Sequence, residues 1–165
     1  MAIRTIRTEG DEILRKKSKK VEVIDEKILE LIEDMKDTLH KYNGVGLAAV
    51  QVGILKQIVI IQEDEEAPIY VLINPEIIST SGIQEVEEGC LSFPNKFARI
   101  ERPEKVKIRA LDENGNKIEV KAKGLLAQAI AHELDHLDGI LFVDKIIPVT
   151  LQYVTPESEK EEKKK

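Results

Sequence analysis

One cysteine in 165 residues excludes an intramolecular disulfide, and a lone thiol suits a reducing compartment. No run approaches the roughly 18 apolar residues of a membrane span, and the opening MAIRTIRTEGDEILR is too charged for the apolar section of a signal peptide. These two absences lead us to expect a cytoplasmic protein with no membrane partner. Excess positive charge is missing too: the formal net charge is −6, and a nucleic-acid binder normally carries a basic face. Lys16, Lys17, Lys19 and Lys20 do cluster, but acidic residues flank them, so they read as a solvated segment and no direct nucleic-acid binding is expected. There is no internal repeat and no dividing linker. With 42% hydrophobic residues, the chain is long enough for one domain with its own core.

Two helices stand out. Ile28, Leu31, Ile32, Met35 and Leu39 recur at helical spacing, with Asp25 as N-cap, Ile24 and Leu29 as a hydrophobic staple and Asn43-Gly44 as the stop. His40, near the end of this helix, has no second ligand type one turn away and reads as a surface residue. A second helix is predicted from about Leu125 to Leu137, stopped by Gly139. Between them lie β-type runs at 57–62, 69–74 and 83–91. A hairpin follows, in which Val106, Ile108 and Ala110 are answered by Ile118, Val120 and Ala122 across a tight turn at Asn114-Gly115, both residues being given positive φ. One short strand is predicted over 150–154, and the tail PESEKEEKKK is too polar to bury anything. We therefore expect an α+β fold: a single domain over 1–154, with mixed or antiparallel sheets around a central second helix, and a charged, disordered tail at 155–165.

Two of the three histidines fall in His132-Glu133-Leu134-Asp135-His136. Residues four apart on a helix stand one above the other, so both imidazoles can reach one ion, with Glu133 one step round beside it. On a helical wheel their neighbours are Leu125, Leu126, Ala129, Ile130 and Leu137. Polar groups facing such an apolar stripe are costly to bury unless an ion organises them. A catalytic site of this kind uses three protein ligands and leaves one position for water. No histidine follows His136. Cys90, in Glu88-Gly89-Cys90-Leu91-Ser92, is the remaining soft ligand, although a small buried hydrophobe is the commoner fate of a free cysteine.

Three blocks in order, Gly44-Val45-Gly46-Leu47-Ala48-Ala49-Val50-Gln51, Glu88-Gly89-Cys90-Leu91-Ser92 and His132-Glu133-Leu134-Asp135-His136, resemble the signatures of the peptide deformylase family. An opening similar to the family's, Ile13-Leu14-Arg15, extends the likeness over about residues 4 to 147. The resemblance implies hydrolysis of the formyl group from N-formylmethionine at the start of new proteins. It implies Cys90, His132 and His136 as metal ligands, and Glu133 as the general acid/base acting on a water activated by the ion. It also implies that Gln51 and the backbone N–H of Leu91 stabilise the oxyanion. Gly44, Val45, Gly46, Glu88 and Gly89 are expected to line the peptide site, with Val45, Val86, Leu125 and Ala129 around the methionine. Glu88 is also expected to brace the cysteine strand through Arg102. The family works with ferrous iron, so Fe2+ is the expected cofactor, with Zn2+, Ni2+ or Co2+ as replacements. Formylated nascent peptides are the expected partner, and transient ribosome association fits that substrate.

The chain departs from the family pattern at Val50, where proline is usual, at Ala131, where glutamine is usual, and at Gln128, where arginine is frequent; it also lacks a long basic C-terminal helix. Three other readings predict different behaviour. A zinc endopeptidase would not need Cys90. A closed structural metal site would recruit Asp138 or Glu88 as a fourth ligand. That closed site would bind an ion without turnover. The third reading is a family member that has lost activity, suggested by Val50 and Ala131.

Overall fold

The computed structural model describes residues 2–153, so the predicted tail at 155–165 lies outside the described residues. After a 3-10 turn at Glu12–Arg15 come helix α1 (Glu26–Lys41), strand β1 (Gly46–Ala48), a 3-10 turn at Ala49–Val52, and strands β2 (Ile58–Ile61), β3 (Tyr70–Ser81), β4 (Gln84–Cys90), β5 (Phe93–Arg102), β6 (Lys105–Leu111) and β7 (Lys117–Lys123). Helix α2 (Gly124–Leu137), a third 3-10 turn (Phe142–Asp144) and strand β8 (Gln152–Tyr153) complete the order. All named strand pairs are antiparallel. One sheet runs β1-β2-β3-β6-β7 and the other β4-β5-β8.

The run Ile58-Val59-Ile60-Ile61 is continuously apolar because β2 is buried on both faces. Val59 and Ile61 pack with α2, while Ile58 and Ile60 pack with α1. α1 begins where the Asp25 carboxylate accepts the Ile28 N–H at 3.0 Å, and it turns out through Asn43, which takes a left-handed φ of 52°. His40 is exposed and bonds Gln62. A third cluster, Leu14, Phe93, Ala98, Ile100, Leu141 and Phe142, lies under the smaller sheet. α2 touches strands of both sheets, and its residues from Leu126 to Leu137 are buried except Gln128 and Asp135. That central placement lets one helix present polar side chains to a site closed by two sheets. Gly139 ends it with a positive φ, and a Cβ there would lie 2.4 Å from the Arg15 carbonyl oxygen.

The hairpin has the expected register, Val106↔Ala122, Ile108↔Val120 and Ala110↔Ile118, but a different turn. Only Gly115 takes a positive φ; the Asp112 carboxylate accepts both the Asn114 and Asn116 N–H groups at 2.9 Å, widening the loop to residues 112–116. β3 continues well past the predicted 69–74. Asn74, at φ 52°, pairs its side-chain amide with the Val21 backbone in both directions, and the ladder to β6 resumes after a register shift. β1 and β5 are strands that periodicity alone does not mark. The predicted strand over 150–154 is reduced to Gln152–Tyr153, with residue 154 outside the described region.

Candidate metal centre

Two elements bring the polar groups together. β4 ends at Cys90 with a register shift, Gly89↔Phe97 giving way to Cys90↔Phe93, which turns the thiol inward. α2 supplies His132 and His136, whose ring centroids stand 5.0 Å apart. The ligand atoms of Cys90, His132 and His136 all lie within 4.8 Å of one another, and no other such group occurs among the described residues. Cys90 Sγ is 3.3 Å from His136 Nε2.

The surroundings fit a cation. His132 Nδ1 donates to Glu88 Oε2 at 2.8 Å, which leaves Nε2 free to act as a ligand. Glu88 is held in turn by Arg102, through Nε at 3.0 Å and Nη2 at 2.6 Å, and Arg102 Nη1 reaches Asp135 at 2.7 Å. Burial pushes the Glu88 carboxyl up, but His132 and Arg102 outweigh it and hold it down at about 2. Burial also pushes His132 down. The negative charges of Glu133 and Cys90 and the bond to Glu88 more than reverse this, and the same anionic surround favours a cation bonded through that ring. Burial and the neighbouring His132 keep His136 neutral, the protonation state a ligand needs.

Glu133 is buried, and desolvation raises its carboxyl to about 7. Its Oε1 has no hydrogen-bond partner among the protein groups, so it is open to a water or a ligand in the site. Its other oxygen lies against Gly46, where a Cβ would sit 2.6 Å from Oε2. β1 therefore approaches the helix as closely as it does because residue 46 is glycine.

Gln51 points its amide nitrogen toward the thiol: Oε1 accepts the Ala48 N–H at 2.9 Å, and Nε2 lies 3.5 Å from Cys90 Sγ and 3.1 Å from Ser92 Oγ. These groups open into a cavity of about 640 Å³, lined among others by Gly44, Val45, Gly46, Gly89, Leu91, Leu125 and Ala129. A larger hollow of about 830 Å³ beside α1 is lined by lysines and acidic residues with no comparable cluster. One expectation changes here. Val86 is not part of the cavity lining; with Cys90 it packs against the cluster of Leu14, Phe93 and Phe142. Glu88 lines the cavity, with its side-chain oxygens committed to Arg102, Gln128 and His132. That commitment also removes it as a fourth ligand.

Sequence reading passed over four participants. Asp135 completes the Arg102 bridge, and its place within the histidine motif was the available signal. Ser92 closes the cysteine block and meets Gln51, and the aromatic wall of Phe93 and Phe97 follows, where Pro94 hides the strand pattern. Of the departures, Val50 is fully buried in the core and Gln128 Nε2 bonds the Glu87 carbonyl at 3.2 Å and Glu88 at 3.3 Å.

Comparison with known proteins agrees with this geometry. The family model described as polypeptide deformylase matches residues 3–152. Peptide deformylase 1 of Clostridium acetobutylicum is 57% identical over 88% of this chain and 96% of its own length. The peptide deformylase of Caldicellulosiruptor bescii is 55% identical over 89% and 87%. The crystal structure of peptide deformylase from Thermotoga maritima superposes with a TM-score of 0.85 at 40% identity, covering 90% of this chain and all of that one.

Proposed function

The chain belongs to the polypeptide deformylase family, and on that premise we infer that it hydrolyses the formyl amide of N-formylmethionine at the N-terminus of newly made proteins. The observation that carries this reading is the convergence of Cys90, His132 and His136 within 4.8 Å, beside a buried Glu133 with an unpartnered oxygen. The donor set, one thiolate and two imidazoles, fits a divalent first-row ion. Such an ion supplies Lewis acidity when bound, lowering the pKa of water and polarising a carbonyl oxygen.

The remaining work belongs to the chain. Glu133 Oε1 accepts a proton from the attacking water and delivers it to the departing amine nitrogen. Gln51 Nε2 and the Leu91 N–H donate to the oxygen on which negative charge develops, and Gln51 already aims at that place through its contact with Ala48. β1 is an edge strand of its sheet, so an extended peptide can add alongside Gly44, Val45 and Gly46. Val45, Leu125 and Ala129 border the space for the methionine side chain. Arg102 and Glu88 fix the His132 ring from behind.

Ferrous iron is the ion we assign, with zinc, nickel or cobalt as replacements, and the cytoplasm, at or near the ribosome, is the place where such a substrate arises. A formyl-Met peptide assay on anaerobically prepared, iron-loaded wild type and Glu133→Ala tests the function. Turnover by the wild type and its loss in the variant are expected; an inactive iron-loaded wild type would remove the reading. Equal activity of the zinc and iron forms would overturn the metal assignment alone.

A further inference from the structure

Gln51 approaches the site from a one-turn 3-10 segment (Ala49–Val52), an element too short to hold a catalytic amide by itself. Its side chain has a flip to lose and its turn has a position to lose. Contacts within the motif blocks constrain the first, and a segment outside them constrains the second. The Ala48 N–H donates to Oε1 at 2.9 Å, so the nitrogen end must face the thiol. Ser92 Oγ then accepts one Nε2 hydrogen at 3.1 Å, and the other is directed at Cys90 Sγ, 3.5 Å away on the cavity lining. Gln51 is 1% exposed and Ser92 fully buried.

The backbones of the same two residues are tied by a third segment. The Arg7 N–H donates to the Gln51 carbonyl at 2.6 Å, and the Glu9 N–H donates to the Ser92 carbonyl at 2.8 Å. Alternate residues of an extended segment direct their N–H groups to the same side, so three residues bridge two loops that are 41 positions apart in sequence. Ile6 and Thr8 line the cavity from this segment. Its outer ends are fixed by ion pairs, Glu9 with Lys96 on the cavity rim and Arg7 with Asp11 at 3.0 Å. Arg7, Thr8 and Glu9 are exposed, so the segment adds little to the apolar core. Its bonds are spent on the loops that carry Gln51 and, one residue before Ser92, the Leu91 N–H.

We propose that Ser92 and the strap Arg7–Glu9 are positioning residues of the deformylation site, holding the Gln51 amide and the Leu91 N–H at a fixed separation around one reacting oxygen. The proposal rests on the deformylase reading, and its test separates the two. Removal of one oxyanion donor costs on the order of 10²–10³ in rate, so a donor kept but misaligned should lose about 10-fold or more.

The experiment measures kcat, KM and bound ion for Ser92→Ala and for Glu9→Pro, which deletes the N–H, in both the wild-type and Gln51→Ala backgrounds. We expect kcat to fall about 10-fold or more with KM and ion content within about twofold; once Gln51 is gone, Ser92→Ala should cost less than about twofold, and Glu9→Pro less than in the wild-type background, keeping only the loss that runs through the Leu91 N–H. Glu9→Ala, which keeps the N–H, should recover most of what Glu9→Pro loses. Additive losses in the two backgrounds, or losses carried by KM or ion content, would overturn the proposal. Should Glu9→Pro fail to fold, the Ser92→Ala cycle decides alone. An inactive wild type would defeat the functional reading instead.

Discussion

A single methyl group at residue 46 is the sharpest probe of how Glu133 is held. Gly46 does not have a positive φ, so alanine fits its backbone and the whole effect must come from contact. The added Cβ would meet Glu133 Oε2 at 2.6 Å, Cγ at 2.9 Å and Cδ at 3.1 Å. Restoring an ordinary contact of 3.4 Å displaces the carboxylate by about 0.8 Å. Those atoms are the far end of a side chain, so the fold can absorb the change for about 1 kcal/mol, the low end for overpacking. Proton transfer cannot absorb it, because a misplacement near 1 Å costs on the order of 100-fold. Gly46→Ala should therefore lower kcat by about 10- to 100-fold while bound ion and KM stay within about threefold. Steady-state kinetics on a formyl-Met peptide, metal analysis and a thermal melt read the three quantities. A kcat within threefold of wild type would show that the carboxylate has slack the geometry denies; a loss confined to KM would show that the methyl blocks the peptide instead.

Other perturbations reach different parts of the chain. Glu88→Gln removes one of the two carboxylates that meet the buried Arg102, leaving Asp135, and weakens the backing of His132, so we expect a stability loss of about 1.5–3 kcal/mol and a 10- to 100-fold weaker hold on the ion, read by denaturant unfolding and competition with a chelator. Lys123 stands directly across from Lys105, a like-charge pair on neighbouring strands. Lys123→Glu reverses the pair and places a negative charge at the start of α2, which should add about 0.5–1 kcal/mol, a gain that shrinks in high salt; an unchanged melting temperature at low salt would contradict it. The Arg15 guanidinium holds the Asp144 carboxyl below its ordinary value of 3.8, against a smaller upward push from burial. Because the folded-state value is depressed, its stabilisation is full above the unfolded value and lost as pH falls through the folded one. Wild type should therefore lose more urea resistance than Asp144→Asn between pH 5 and the acid limit, and parallel losses would rule the contribution out.

Sequence periodicity reached the parts of the fold in which one face is buried. The Asp25 cap, the face of α1 and the alternation of β6 with β7 all follow from local residue order. It failed where a polar residue points inward or a breaker is accommodated. In β5 the inward positions are Phe93, Ala98, Ile100 and Arg102; the arginine is buried only because Glu88 and Asp135 meet it, and both are distant in sequence. Pro94 suggests a stop, yet it sits beside the register shift that turns Cys90 inward, where a missing N–H is tolerated. Asn74-Pro75 marks an end to β3 in the same way, until the pairing of Asn74 with Val21 carries the strand on.

The site shows the same division more strongly. His132 and His136 share a face by helical geometry alone, so their pairing can be read directly. The third member of the cluster is different, because the helix anchors in the cluster built on the larger sheet and Cys90 in the one beneath the smaller. No local rule relates those two cores; the 4.8 Å grouping is a property of how they dock. The Arg102 bridge spans that junction, with Glu88 on one side and Asp135 on the other. A buried ion network of this kind is a poor stabiliser compared with apolar packing. Its place between the two cores gives it another use: it fixes the relative position of the thiol and the imidazoles, which neither sheet can set by itself.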